Sequence, residues 1–304
     1  MAQAQARAFT IHAVGYEEGL PDLRSVREAV FVQEQGVPLA LEWDELDPVC
    51  HHVVARDGAG DAIGTGRLTP ARGIGRMAVL PEWRGRGVGD ALLQALLEQS
   101  RTLGWPEVTL HAQAAAVGFY ARAGFLPVGG RFQEAGIEHQ GMRLLPGALN
   151  PVDSRDAAIA ATSGVIAGAR RHLDIYSREL DPGLLDQPEI VAAIRRCATG
   201  GECAIRILLQ EPAAPRRAFA PLIALGQRLP SAIAFRAVEE QVDRSYASAF
   251  IANDGGGHFF RPLGQRWEGE TRLDGAGRAR HLRGVFDPFW ERARPCTEYR
   301  ALGI

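Results

Sequence analysis

The sequence predicts an α/β protein of two domains. Its 304 residues are roughly twice the length of a common single domain. Strand-like and helix-like apolar patterns alternate in both halves of the chain, which is typical of layered α/β folds. A stretch with two prolines and a glycine, 146–152, separates the two patterned halves. We therefore expect domains at 1–145 and 153–304, joined by a linker at 146–152.

Composition limits the partners and the compartment. Hydrophobic residues make up 46% and charged residues 23% of the chain, which fits ordinary globular cores. The net charge of −2 gives no electrostatic reason to expect nucleic acid or an anionic membrane as partner. All basic residues are arginines, so Schiff-base chemistry on a lysine is excluded. Four cysteines without C-x-x-C spacing and no long apolar segment predict a reduced, cytoplasmic protein.

The first half begins with elements that lead to one glycine-rich turn. A strand is expected at 8–14. A helix is expected over 23–35, because Leu23, Val26 and Val30 share one face. An acidic loop, 42–47, follows, and it could face a cationic substrate or be solvated. Three strands are then predicted, at 51–56, 62–68 and 73–80, before the turn and a helix over 88–103.

The turn carries the strongest chemical signal. Glycines at 85, 87 and 89 remove Cβ atoms, so that backbone N–H groups at a helix N-terminus can converge on phosphate oxygens. Arg84 and Arg86 add positive charge in a geometry that suits phosphate. A Walker A loop is excluded by the missing lysine, and the spacing is not that of a dinucleotide-binding G-x-G-x-x-G turn. An ordinary strand-to-helix turn remains the alternative.

The rest of the first half completes a mixed sheet. A short strand is predicted at 107–111 and a helix at 114–123, and two further strands are predicted at 126–128 and 138–144. The glycine-rich turn thus follows the carboxyl end of a strand, where open α/β sheets usually bind ligands.

Three motifs carry a family resemblance over about the first 145 residues. Arg84-x-x-Gly87-x-Gly89 resembles the acetyl-CoA loop of the GCN5-related N-acetyltransferases (GNAT). The run Gly118 to Phe125 is similar to the family's F-Y-x-x-x-G-F motif. The segment from Arg27 to Pro38 resembles the opening of the small bacterial ElaA-type subgroup. The resemblance implies a mixed sheet in which two neighbouring strands splay apart to admit the coenzyme.

The resemblance also implies an activity and a set of site residues. It implies transfer of an acetyl group from acetyl-CoA to a primary amine of a small molecule or peptide by direct attack, without a metal. Tyr120 would border the coenzyme and protonate the leaving thiolate, although a core aromatic is the alternative. The residues expected to hold the coenzyme are Met77, Ala78 and Val79, through their backbone, and Arg84, Gly85, Arg86, Gly87, Val88 and Gly89.

The general base stays open among three residues. Glu34 ends the predicted helix that would border the acceptor pocket, yet an exposed helical glutamate is usually only solvated. His111 and His139 lie on predicted strands beside the splay. A proton path through water would need none of them. The pair His51-His52 ranks behind these, since adjacent strand residues point to opposite faces.

The second half restarts an alternation of helices and strands. Helices are expected over 153–171, 189–198, 217–229 and 278–293, and strands at 173–177, 204–209, 232–238 and 248–252. The pattern faintly resembles phospholipase D-like domains. Aligning Asp254 with that family's H-x-K-x-x-x-x-D motif puts Ala247 and Ala249 at its histidine and lysine positions. We therefore expect a non-catalytic domain for binding, regulation or homo-oligomer formation.

A second function class competes with the enzyme. The first domain could bind an acyl-CoA without turnover, as a sensor, while the second domain recognises a partner. The motif tyrosine favours the enzyme, and the missing catalytic residues of the second half leave the sensor open.

Overall fold

A computed structural model describes residues 9–201, 203–214 and 220–299. Within these residues, the backbone forms two compact units. The first contains 9–113 and 130–146, and the second contains 114–129 and 147–299. The units thus divide the chain differently from the expected domains, whose boundaries remain a prediction. Across the described residues, every helix is too short or too polar to cross a lipid bilayer.

The first sheet has seven strands in the order β1-β2-β3-β4-β5-β7-β6. The helices are α1 Tyr16–Arg27, which continues as a π-helix over Glu28–Glu34, then α2 Leu39–Glu42 and α3 Val88–Thr102. Short 3₁₀ turns lie at Asp47–Val49 and Pro81–Trp83. The strands are β1 Phe9–Val14, β2 His51–Asp57, β3 Ala62–Leu68, β4 Gly73–Val79, β5 Val108–Gln113, β6 Leu126–Glu134 and β7 Ile137–Leu144.

The sheet is mixed, as expected. Strands β1 to β4 form an antiparallel meander, whereas β4 and β5 run parallel. Strand β7 then pairs antiparallel with β5 along six residue pairs from Val108↔Leu144 to Gln113↔His139. The single parallel pair in this described sheet is therefore the one directly before the glycine turn.

The predicted helix over 23–35 begins earlier and ends differently. Helix α1 starts at Tyr16 and includes Pro21, a residue that is unfavourable inside a helix. From Glu28 the chain adopts π-helical geometry to Glu34. A π-helical turn shifts the direction of the side chains that follow, and such turns are frequent at functional sites. Leu23, Val26 and Val30 are buried, so the predicted apolar face is confirmed.

The second unit contains an eight-stranded sheet in the order β15-β11-β10-β9-β12-β13-β14-β8. Its central strands β9, β10 and β11 are parallel, and the strands that flank them are antiparallel. The strands are β8 Asn150–Val152, β9 His172–Ser177, β10 Ala204–Leu209, β11 Ile233–Ala237, β12 Ala249–Asn253, β13 His258–Arg261, β14 Gly269–Arg272 and β15 Arg294–Pro295. Its helices are α4 Val117–Arg122, after a 3₁₀ turn at Ala114–Ala116, α5 Arg155–Ala167, α6 Pro188–Thr199, α7 Pro221–Arg228, α8 Gln241–Arg244 and α9 Ala276–Arg292, and a last 3₁₀ turn is at Thr297–Tyr299.

The α/β prediction for the second half is confirmed, with additions at its edges. Ser154 caps α5, since its Oγ accepts a hydrogen bond from Ala157 N at 3.2 Å. The last three residues of the expected linker form strand β8, which pairs with β14. Strands β13, β14 and β15 were not predicted because each has four residues or fewer, too few to show a period of two. Part of the helix predicted over 217–229 lies outside the described residues.

The aligned aspartate of the second half has a structural role. The carboxylate of Asp254 accepts hydrogen bonds from the backbone N–H groups of Arg170 and Arg171, at 2.9 and 3.0 Å, and of His172. These bonds outweigh burial and lower the pKa of Asp254. The residue therefore fixes the turn between α5 and β9.

Helix α9 closes the core of the second unit. Leu282 and Phe286 are buried, and Phe289 and Trp290 pack around the same core. The Tyr176 ring stacks on Phe250 at a centroid distance of 5.7 Å and donates a hydrogen bond from its hydroxyl to Asp243 O.

Helices α4 and α5 approach closely at a glycine. A Cβ atom at position 164 would lie 2.9 Å from the carbonyl oxygen of Ala121 and 3.2 Å from Leu273. Contacts this short to backbone atoms force one helix to move. Gly164 therefore sets the spacing between α5 and the helix that carries Tyr120.

We predict that Gly164→Ala lowers the free energy of unfolding by about 1–2 kcal/mol, because the methyl group meets a backbone carbonyl. Gly284→Ala is the matched control, since position 284 lies in α9 with open space around it. There the same change should stabilise the protein by up to about 1 kcal/mol through helix propensity. Urea unfolding midpoints measure both, and equal shifts in the two variants would contradict the close approach.

Candidate active site

Strands β4 and β5 separate soon after they pair. Their register contains Gly73↔Thr109 and Ile74↔Leu110, and no later pair joins them in the part of the chain that the structure describes. From Gly75 to Val79, the edge of β4 that faces β5 is thus without a strand partner. Such an edge presents backbone N–H and C=O groups that an extended ligand can use.

A bulge in β4 accompanies this separation. Arg76 has a left-handed backbone (φ 49°), and the register between β3 and β4 shifts between Thr65 and Arg67. A bulge bends its strand and increases the local twist. It therefore helps to turn β4 away from β5, and it does so just before Met77, Ala78 and Val79.

The glycine turn has the conformation that the sequence predicts. Gly85 and Gly87 adopt φ values of 72° and 81°, and Gly87 is the N-cap residue of α3. Val88 is buried and anchors the helix start. The first N–H groups of a helix lack intrahelical partners, so the turn presents donors to an anion. Arg86 lies over the Trp83 ring, at 5.0 Å from its centroid.

Arg84 forms a bidentate ion pair with Glu34. Its two terminal nitrogens donate to Glu34 Oε1 and Oε2 at 2.8 and 2.6 Å. Its Nε donates to the carbonyl oxygen of Val79 at 3.0 Å. The Arg84 hydrogen bond lowers the pKa of Glu34, so this carboxylate is a weaker base than an unpaired glutamate. One arginine thus connects the π-helix, the end of β4 and the glycine turn.

The residue that follows the π-helix, Gln35, reaches β5. Gln113 Nε2 donates a hydrogen bond to Gln35 Oε1 at 2.9 Å. Glu34 and Gln35 therefore contact both sides of the opening. Glu34 binds Arg84 beside β4, and Gln35 binds Gln113 on β5.

His111 and His139 lie on one face of the sheet. Gln113 pairs with His139 and His111 pairs with Gly141, and residues two apart on a strand share a face. The Phe132 ring lies between the imidazoles. It meets His111 edge-on at 4.9 Å and stacks on His139 at 6.0 Å.

A carboxylate orients His111. Glu134 Oε2, on β6, lies 3.2 Å from His111 Nδ1, whereas His139 Nδ1 lies 2.9 Å from the carbonyl oxygen of Ile137. A carboxylate on one ring nitrogen leaves the other nitrogen to accept a proton. His111 is also exposed, so a substrate can reach it.

Tyr120 lies on α4, within the second unit. Its ring packs edge-on against Phe119 at 4.9 Å and against Phe125 at 6.0 Å. Burial raises the pKa of Tyr120 to about 12, so the phenol keeps its proton at neutral pH.

Comparison with known proteins identifies the family. Residues 19–146 match the family model described as an acetyltransferase (GNAT) domain. The uncharacterized N-acetyltransferase YjcF of Bacillus subtilis is 39% identical over 127 residues, which is 40% of this chain and 90% of YjcF. The chain belongs to the GNAT family.

Two further comparisons concern ElaA, and one concerns the second half. Protein ElaA of Escherichia coli is 34% identical over 129 residues, covering 40% of this chain and 83% of ElaA. The crystal structure of Escherichia coli ElaA gives a TM-score of 0.40 at 30% identity, covering 44% of this chain and 98% of that one. Residues 154–302 match the model of DUF7931, a domain of unknown function. That match gives the expected phospholipase D-like character no support.

Two carboxylates of the acidic loop of this GNAT chain, those of Glu42 and Asp47, are buried, whereas Glu45 is exposed. Arg27 is buried and donates to Glu42 Oε1 at 2.6 Å and to Asp47 Oδ1 at 2.8 Å. Arg67 donates to Asp47 Oδ1 at 2.7 Å. Although burial raises it, the pKa of Asp47 is lowered to about 2 by Arg27 and then by Arg67. Glu42 and Asp47 therefore differ from the solvated alternative, because their arginine partners are distant in sequence, whereas the exposed Glu45 agrees with it.

The histidine pair His51-His52 and the neighbouring Cys50 have different environments. His52 is buried, its Nε2 lies 2.7 Å from the carbonyl oxygen of Asp47, and burial lowers its pKa. Its neighbour His51 is exposed on the other face, as expected. Burial raises the pKa of the Cys50 thiol, which opposes thiolate chemistry there.

Sequence reasoning missed two residues that contact the candidate histidines, Phe132 and Glu134. Strand β6 runs to Glu134, six residues beyond its predicted end. Glycines at 129 and 130 hide the continuation, because glycine is depleted in strands. Arg131 donates to Glu138 Oε2 across the hairpin at 2.8 Å. These opposite charges on either side of a turn were the signal in the sequence that indicates a longer hairpin.

We predict that Gly87→Glu abolishes the rise in melting temperature that acetyl-CoA causes. The carboxylate would stand where the donors of the turn converge, and it would repel a pyrophosphate. Gly104→Glu is the matched control. Position 104 also has a positive φ, 67°, and open space for a side chain, so it carries the same backbone strain and charge outside the turn. Thermal shift assays with and without acetyl-CoA should separate the two variants.

A Gly87→Glu protein that folds and is still stabilised by acetyl-CoA to the same extent as Gly104→Glu would contradict this assignment of the turn.

Proposed function

We propose that this protein transfers an acetyl group from acetyl-CoA to the primary amine of a small molecule or peptide. Membership of the GNAT family supports acyl transfer, and the local geometry supports the donor. The observation that carries the proposal is the unpaired edge of β4 beside the left-handed turn at Gly85 and Gly87. We assign this activity to a domain at 1–145, and we place the protein in the cytoplasm, where unpaired cysteines persist.

The donor would occupy the opening in extended form. Its pyrophosphate would accept hydrogen bonds from the backbone at Gly85, Gly87 and Gly89 at the start of α3. Its pantetheine arm would pair with the free edge of β4, in the place of a strand. Arg84 holds the turn in place through Glu34 and Val79, and Arg86 supplies positive charge at the rim.

The proposed base is His111. Glu134 orients its imidazole as the third group of a catalytic triad does, and the exposed ring is open to an amine. Glu34 fits this role less well, because its carboxylate is committed to Arg84. We assign His139 and Phe132 to the wall of the acceptor pocket.

The proposed reaction is one direct displacement. The amine nitrogen attacks the thioester carbon, and His111 takes the proton that the nitrogen loses. The carbonyl oxygen gains charge and is stabilised by backbone donors of β4 near Ala78. The carbon–sulfur bond then breaks, and the leaving thiolate receives a proton from Tyr120. A tyrosine of raised pKa is fully protonated at neutral pH, as this step requires.

We predict that Tyr120→Phe lowers kcat roughly 10²-fold or more and leaves the affinity for acetyl-CoA unchanged, since only the hydroxyl is lost. Steady-state kinetics with an acceptor found in a pooled amine library measures kcat, and titration calorimetry measures the affinity. A fall in affinity at full kcat would make Tyr120 a packing residue.

A second prediction separates His111 from Glu34. His111→Gln should lower kcat roughly 10²-fold with little change in the KM for acetyl-CoA, because a base acts on the chemical step. Glu34→Gln should instead raise that KM by roughly 3- to 5-fold, since an exposed ion pair that positions Arg84 contributes at most about 1 kcal/mol.

The reverse pattern, a large fall in kcat for Glu34→Gln and none for His111→Gln, would transfer the base to Glu34. Saturable acetyl-CoA binding without turnover of any amine in the pool would favour the acyl-CoA sensor over the enzyme.

A further inference from the structure

A cavity of about 250 Å³ opens in the second unit, outside the proposed acetyl-transfer site. It is lined by the two arginines Arg178 and Arg244, by Gln210, by Ser245 and Ser248, and by the 246–249 and 263–265 segments. The described residues that line it include no aspartate or glutamate. Its lining is therefore formally cationic.

The cavity lies where an α/β sheet usually binds its ligand. The parallel strands β9 and β10 end at Ser177 and Leu209, and the next residue of each, Arg178 and Gln210, lines the cavity. The carboxyl ends of parallel strands present side chains and loops to one common edge. The position at the sheet edge and the positive charge of the lining together indicate a ligand site.

The polar groups at this edge are oriented by the fold. Arg244 Nε donates to the carbonyl oxygen of Val238 at 3.0 Å, and its terminal nitrogens have no acceptor among the described residues. Gln210 Nε2 donates to Tyr176 Oη at 2.9 Å and to Tyr246 O at 2.7 Å. Arg178 donates through Nε and one terminal nitrogen to Glu211 Oε1, at 2.8 and 2.5 Å. Both guanidinium groups thus keep N–H donors for a ligand.

A buried ion pair holds one wall of the cavity, the 263–265 segment. Arg261 donates to the Asp181 carboxylate and, at 3.0 Å, to the carbonyl oxygen of Gly264, which lines the cavity. Both Leu180 and Asp181 have left-handed backbones, with φ of 64° and 40°. Strained residues persist where the surrounding structure holds them in place, and they are frequent at ligand sites. The 263–265 wall is therefore held by hydrogen bonds within the protein.

We propose that this cavity binds a small oxyanion of the phosphate class, such as a phosphate monoester. Two forked guanidinium groups match the geometry of a phosphoryl group. The volume lies just below the usual range for organic ligands, which favours a small ligand over a nucleotide. The second unit is thereby assigned a ligand as well as a structural role.

Titration calorimetry of the full chain with inorganic phosphate tests the proposal. Arg244→Met should weaken phosphate binding at least about tenfold, since a charge-assisted hydrogen bond is lost. Arg280→Met removes the same charge from an exposed position on α9, and it should change the affinity less than about twofold. Succinate, titrated in parallel, tests whether a carboxylate takes the place of the phosphoryl group, and weaker binding of succinate is expected.

A second pair of variants guards against misfolding of Arg244→Met. Ala247 lines the cavity and is exposed, so Ala247→Glu adds a negative charge there and Ala247→Gln adds the same bulk without charge. We expect phosphate binding to be lost in the first and retained, though weaker, in the second.

Three results would overturn the proposal. The first is that the unchanged protein shows no saturable phosphate binding. The second is that Arg244→Met and Arg280→Met bind phosphate equally well. The third is that Gly87→Glu loses phosphate binding. The last result would place the phosphate on the glycine turn. Because acetyl-CoA turnover is not measured, failure here would leave the proposed transferase activity untouched.

Discussion

The separation of β4 from β5 is the constraint on which the proposed site depends. Two paired residues hold the strands together at Gly73 and Ile74, and the bulge at Arg76 turns β4 away directly afterwards. Every feature proposed for the donor lies on the far side of that bulge, on the free edge of β4 or in the turn that follows. On the other side of the opening, β5 is held by its long pairing with β7. This pairing places His139 of β7 and His111 of β5 on one face of the sheet. The opening is therefore bounded by the bent strand β4 and by β5, whose other edge is paired with β7.

Three arginines, Arg27, Arg67 and Arg76, connect this opening to the loop beside it. Arg76, the bulge residue, also donates to the carbonyl oxygen of Glu42 at 3.1 Å. Arg27 donates to the Glu42 carboxylate. Replacing a buried ion pair with apolar residues is often neutral, but removing one partner leaves a buried charge and costs about 3–5 kcal/mol. The network therefore contributes more to fixing the position of the 39–50 loop than to the free energy of unfolding. Because Arg27 also ends α1, the same network fixes where the π-helix begins.

The sequence predicted what depends on local rules and missed what depends on register. The glycine turn, the start of α3 and the cap at Ser154 follow from backbone conformation and hydrogen bonding within a few residues. The partner of His111 could not be predicted, because Glu134 reaches it through a strand hidden behind two glycines. The Glu34–Arg84 pair spans 50 residues and follows from the π-helical turn, for which the periodicity gives no signal. The cavity residues Arg178 and Arg244 lie 66 positions apart in the sequence and are brought to one cavity by the tertiary fold.

The arginine network has a chemical consequence for an enzyme that handles activated acyl groups. Thioesters acylate exposed amines, and an acylated lysine loses its charge. Every cationic side chain that anchors a loop or a turn in this protein is a guanidinium, which stays protonated throughout the range in which proteins fold. With no ε-amine anywhere in its sequence, the protein offers its own donor no side chain whose modification would release the 39–50 loop. Its structural charges are inert to the chemistry proposed for its active site.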